Sequence, residues 1–399
     1  MSAEIVDRLA QLAVEVGANV QPGQVVGVGA DVGQEELVRA VAEAAYKRGA
    51  RFVDVRYFDP YVKRARIAFA PDETLDYVPP WYGARIRELG NDRGANIALS
   101  GTSAVGVLDG LDPARAGRDQ LPFVKDLLPV IHARTLNWTA VPCPTRPWAG
   151  LAHPELDEEA AYERLWTEIG HVLRLDHPDP QAAWRKRADG LDAAAARLNE
   201  LRLDSVHFEG PGTDLTVGLL ATSTWESARM STVDGIEHIA NLPTEEVYTT
   251  PDPQRAEGRV RSTRPLVLFD GTLVRGLEVS FEGGRAVAID ADEGAEVLRG
   301  RAAFDEGASR LGEVALVDRE SRVGGLGTIF YDTLLDENAV SHIALGAGDE
   351  LAVGEEDRAR SNESAIHIDF MIGGDDVAVT GVTREGRRVP LLRNGGWQI

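Results

Sequence analysis

Apolar residues recur at helical spacing from the start of the chain. Ile5, Leu9, Leu12, Ala13 and Val16 line one face of a stretch that stops at Gly17, which reads as a C-cap glycine. A short apolar run ending in glycines follows at 25–29, then a helical stretch over 35–48 and a β-rich run over 52–57. Strand, helix and strand with short connections predict a right-handed parallel βαβ unit. Helical periodicity returns over 74–89, 113–131 and 158–173, with strand-like runs at 96–100 and 135–141. The first half therefore reads as an α/β layer structure with a parallel sheet.

A charged helical run over 181–203 leads into a different texture. After Arg202 a period-2 alternation dominates, punctuated by hairpin-like glycines at Gly210, Gly212, Gly271, Gly283 and Gly284. That pattern predicts a mostly antiparallel α+β domain. The expected organisation is an N-terminal α/β domain over 1–203 and a C-terminal α+β domain over 204–399 that carries the chemistry. Gly27, Gly29 and Gly33 are spaced G-x-G-x-x-x-G, not as the dinucleotide fingerprint, and read as turn chemistry at a strand end.

Composition narrows the function. The chain has 399 residues, 43% hydrophobic and 27% charged, which places it in the ordinary globular class. Asp and Glu number 64 against 42 Lys and Arg, a formal net charge of -22 that repels nucleic acid and anionic membrane. No apolar run approaches the roughly 18 residues of a membrane helix, and the N-terminus lacks the basic and apolar regions of a signal peptide. The single cysteine, Cys143, excludes an intramolecular disulfide framework and a Cys-rich zinc site. A cytoplasmic location is expected.

Candidate chemistry gathers in the second half. In Ile366-His367-Ile368-Asp369-Phe370, residues i and i+2 of a strand face one side, so His367 and Asp369 converge while the apolar residues pack behind them. Residues 331–342 hold Asp332, Asp336, Glu337 and His342, an N/O donor set suited to borderline divalent cations. Glu245 and Glu246 follow Pro243-Thr244, where acids also favour a helix first turn. Glu313 precedes an apolar run, as a solvated strand end would. Cys143, between prolines, reads as a small buried hydrophobe. Arg261 and Arg264 are candidates for orienting a substrate carboxylate.

The segments 208–215, 241–247, 313–317, 330–338 and 367–373, with Leu136-Asn137-Trp138 and residues 144–149, resemble the thermophilic aminopeptidase family of metallopeptidases, the aminopeptidase T and S type. The resemblance covers essentially the whole chain. It implies two divalent metal ions, zinc, cobalt, manganese or magnesium, with Glu313 bridging and Glu246, Glu337, His342, His367 and Asp369 completing the ligands. Either Glu245 or Glu246 is the ligand in that motif; the assignment adopted is Glu246, which leaves Glu245 as general base. Asp349 stands in Gly346-Ala347-Gly348-Asp349 where the family has a tyrosine, and is taken with Glu245 as a catalytic position. The resemblance implies peptide substrates, an aminopeptidase activity and a homodimer. Two alternatives share these residues: a mononuclear-iron, ring-cleaving dioxygenase of the same fold, and a catalytically degenerate relative that binds peptides.

Overall fold

In the computed structural model, which describes residues 3–119, 121, 126–268 and 272–399, the chain forms two compact units. Residues 1–185 with 229–243 make the first, and 186–228 with 244–399 the second. Gly271 and the middle of the 113–131 stretch lie outside the described residues.

The first unit is built on four parallel strands in the order β2-β1-β3-β4. These are β1 (Val25–Asp31), β2 (Phe52–Phe58), β3 (Ala95–Ser100) and β4 (Asn137–Pro142). Helix α1 (Ala3–Leu12) and helix α2 (Glu35–Lys47) turn apolar faces inward, burying Leu9, Leu12, Leu37 and Val41. Val26 and Val28 of β1 are fully buried, as continuous apolar strands of a covered parallel sheet should be. Helix α3 (Pro60–Phe69) starts at a proline behind Asp59, whose carboxylate accepts the Tyr61 N–H.

Three details depart from the sequence expectation. Gly17 is not a left-handed cap but closes a wide turn, Ala13–Gly17, that prolongs α1. A Cβ there would lie 2.8–3.0 Å from Thr139, so close approach to β4 explains the glycine. The expected helix over 74–89 begins only with α4 (Pro80–Asn91), because Pro79 and Pro80 bar the preceding residues from helical geometry. Two short helices, Pro113–Arg118 and Leu128–His132, stand where one was expected.

Helices Arg146–Ala152 and Glu158–Val172 complete the first unit, and the long helix Pro180–Leu201 runs on into the second. The second unit contains an eight-stranded antiparallel sheet. Its first strands, β5 (Leu203–Gly210) and β6 (Thr213–Leu219), form a hairpin. Beside it lies a four-stranded antiparallel sheet that contains β7 (Glu246–Thr249). After Thr250 the chain enters β8 (Pro251–Arg261) of the larger sheet, so one nearly continuous strand serves both. The hairpin of β9 (Glu278–Glu282) and β10 (Arg285–Asp290) turns on Gly283 and Gly284, both at positive φ.

Candidate metal site

The four-stranded sheet has the order β13-β12-β11-β7, with β11 at Leu311–Val317, β12 at His342–Gly346 and β13 at His367–Met371. Period-2 alternation sorts its two faces. Val247, Val314, Leu316, Ile343, Leu345 and Phe370 pack behind it, all fully buried. Glu246, Tyr248, Glu313, Ala315, His342, Ala344, His367 and Asp369 share the opposite face. Register sets the rows: Tyr248 pairs Ala315, which pairs His342, and Glu313 pairs Ala344, which pairs Asp369. Each alanine thus separates two polar residues that are two strand spacings apart, roughly 9–10 Å. Longer side chains reach toward each other over this low floor.

Their donor atoms meet. His342 Nε2 lies 3.0 Å from Glu246 Oε2 and 3.3 Å from Glu313 Oε1. His367 Nε2 lies 3.7 Å from Glu313 Oε2 and 3.3 Å from Asp369 Oδ1. Two groups of metal-capable donors result, Glu246-Glu313-His342 and Glu313-His367-Asp369, and Glu313 belongs to both. Glu337, in the turn Glu337–Ala339 just before β12, lies near enough for Asp369, Glu246 and Glu313 to act on its charge. The expected ligand residues are therefore brought together, and Glu313 lies within its strand, not at a solvated end.

The second ring nitrogens are directed away. His367 Nδ1 is 2.8 Å from the Ala347 carbonyl, and His342 Nδ1 is 3.3 Å from that of Val340. An Nδ1–H facing a carbonyl leaves the Nε2 lone pair for a ligand role, the arrangement characteristic of metal-bound imidazoles.

The electrostatics favour a cation. Burial and the like charges of Asp369 and Glu246 hold the Glu337 carboxyl well above its usual range. Burial also raises Glu313. Burial works to lower both histidines, yet the carboxylates outweigh it and hold them well above the ordinary imidazole value. Four carboxylates crowd two imidazoles here. Glu246 Oε2 and Asp369 Oδ1 are buried and, among the described residues, have only the imidazoles of His342 and His367 beside them. Orphaned buried carboxylate oxygens beside imidazoles that this charge keeps protonated, and that give up the Nε2 proton to a metal, fit a divalent cation.

Glu245 points elsewhere than its neighbour. It is fully buried, its Oε2 is 2.6 Å from Arg187 Nε, and its N–H donates to Asn338 Oδ1 at 2.6 Å. Arg187 also grips Asp318, directly after β11, with Nη2 to Oδ1 at 2.9 Å and Nη1 to Oδ2 at 3.2 Å. This network braces the start of β7 and the end of β11, the strands that carry Glu246 and Glu313. Arg187 lies in the charged helical run over 181–203, where nothing local distinguishes it from its charged neighbours. Asn338 was hidden in the same way, as an amide beside a more conspicuous glutamate.

Asp349 lies in the turn after β12. Its Oδ2 accepts the Tyr248 hydroxyl at 3.0 Å and its Oδ1 the Leu351 N–H at 2.9 Å. The turn is set by Gly346, at φ +106°, where a Cβ would sit 2.0 Å from the Ile366 carbonyl oxygen. Gly346→Ala is expected to destabilise the protein by about 2 kcal/mol or more through strain and clash. Thermal melting checks this, and an unchanged midpoint argues against so tight a turn.

Other sequence candidates stay outside the cluster. Arg261 pairs with Glu278 at 3.1 Å and Arg264 donates to the Gly324 carbonyl at 2.6 Å. Asp336 accepts the Phe330 N–H at 2.8 Å, and burial pushes it up to about 7. Cys143 is buried, and burial raises its thiol far above the range of a nucleophile. Among the described residues, no helix is long and apolar enough to cross a membrane.

A parallel-sheet unit joined to an antiparallel unit whose sheet gathers carboxylates and imidazoles defines a metalloenzyme. The sequence pattern of the thermophilic metalloprotease (M29) family matches residues 2–397, and the chain belongs to that family. It is accordingly a metal-dependent hydrolase. It is 43% identical to aminopeptidase T of Thermus aquaticus and 36% identical to aminopeptidase AmpS of Bacillus subtilis, over 99% and 97% of each chain. The solved structure of wild-type AmpT from Thermus thermophilus superimposes with a TM-score of 0.92 at 41% identity, covering 99% of both chains. These likenesses do not favour an iron-dependent ring-cleaving dioxygenase.

Proposed function

We propose that the protein is a metallo-aminopeptidase that releases N-terminal residues from peptides at a pair of divalent cations. Glu313 would be shared between them, with Glu246, Glu337, His342, His367 and Asp369 as the remaining ligands. The observation that carries this reading is the position of Glu313, whose two oxygens face different histidines. Zinc, cobalt, manganese and magnesium all suit such an N/O donor set. Bound there, the ions supply Lewis acidity toward the scissile carbonyl and an acidified water.

The resemblance assigns the proton transfer, from attacking water to departing amine as the amide C–N bond breaks, to Glu245, but its fully buried carboxylate is turned to Arg187 and away from Glu246, so here Glu245 braces the ligand strand and does not carry that step. The acidic surroundings suit a substrate bearing a free ammonium group. Short peptides are the expected substrates, and a cytoplasmic homodimer the expected setting.

Hydrolysis of an aminoacyl-arylamide before and after exhaustive chelation tests the reading. Activity should vanish with the metal and return with added zinc, cobalt or manganese. Full activity in metal-free protein rules the reading out.

A further inference from the structure

Tyr248 and Asp349 form a polar pair on the ligand-bearing face that the ligand set does not use. Tyr248 shares that face with Glu246, two residues away on β7, and lies next to Ala315 in the row that ends at His342. Its ring therefore stands beside the donor cluster, and the hydroxyl of this half-buried residue reaches Asp349 in the turn after β12.

Asp349 is held there with little freedom. Its N–H donates to Thr250 Oγ1 at 3.1 Å, and Thr250 Oγ1 donates to the Asp349 carbonyl at 2.8 Å. Its two carboxylate oxygens receive the Leu351 N–H and the Tyr248 hydroxyl. Among the described residues no cationic side chain pairs with this carboxylate, which lies beside the donor cluster. The phenolic oxygen, having donated its hydrogen to Asp349, keeps lone pairs to accept another. The pair thus offers two acceptors, one anionic, in a fixed arrangement.

We infer that Tyr248 and Asp349 together receive the protonated α-amino group of the substrate and so set the enzyme's requirement for a free N-terminus. An ammonium group has three donors and no acceptor, matching an acceptor-only carboxylate and a phenolic oxygen. Fixed acceptors also lower the ordering cost of binding. The inference rests on the aminopeptidase reading and names which groups select the substrate's end.

A purely structural role for Asp349, as the cap of the turn Glu350–Ala352, makes a different prediction. Asparagine caps such a turn about as well as aspartate through its one oxygen, and its amide N–H can donate to the Tyr248 phenolic oxygen, so the pair stays joined without the charge. The test compares leucinamide with 4-methylpentanamide, which lacks only the amine, by calorimetry on metal-loaded protein. The wild type should bind leucinamide at least about 10-fold tighter, the scale of a charge-assisted contact. Asp349→Asn should remove most of that preference, and Tyr248→Phe should reduce it about 3-fold or more, with metal content and the affinity for 4-methylpentanamide unchanged. Preference retained in both variants, or absent from the wild type, overturns the inference. Because the readout is binding, a failure to hydrolyse peptides would count against the proposed function without deciding this point.

Discussion

Glu313→Gln is expected to lower kcat/KM by at least about 10³-fold, equivalent to roughly 4 kcal/mol of transition-state stabilisation. The amide keeps the shape of the carboxylate but loses its charge and one acceptor oxygen. Both donor groups share this one side chain, so a single change weakens both. Glu246→Gln touches only one group and should cost less. Metal content measured alongside steady-state kinetics checks the prediction. A Glu313→Gln protein that holds its full complement of metal and turns over at nearly the wild-type rate would remove the basis for a shared ligand.

Arg187→Met is expected to cost about 3–5 kcal/mol of stability, the usual result of removing one partner from a buried ion pair. Glu245 and Asp318 would remain buried with their main cationic partner gone. Methionine fills similar volume, which separates loss of charge from loss of packing. For a unit of this size the melting midpoint should fall by on the order of 10 °C. Restoring neutrality with Glu245→Gln and Asp318→Asn in the same protein should recover part of the loss. A single substitution that leaves the midpoint in place would mean that the network does not brace the two strands.

Much of this architecture was legible in the pattern of residues. Alternation in Ile366-His367-Ile368-Asp369-Phe370 places His367 and Asp369 on one face, and the register of β12 and β13 brings that face toward Glu313. The parallel sheet of the first unit likewise followed from apolar runs separated by helical stretches. What local pattern does not carry is the pairing of distant strands. Glu313 reads as a strand end because the apolar run begins after it, whereas β11 starts at Leu311 with a register shift between Leu311 and Glu313. Arg187 could not be found because a guanidinium on a charged helix has the same local pattern whether it meets water or Glu245. The start of α4 differs from the expected one for a local reason, since the paired prolines at 79 and 80 outweigh the periodicity before them.

The low floor formed by Ala315 and Ala344 has a consequence for ion choice. The hydrogen-bonded register, with the two alanines between, sets how far apart the strands that carry the donor rows stand. A hydroxymethyl group at either alanine would add an oxygen donor without widening the sheet. A hard oxygen donor added there favours harder cations.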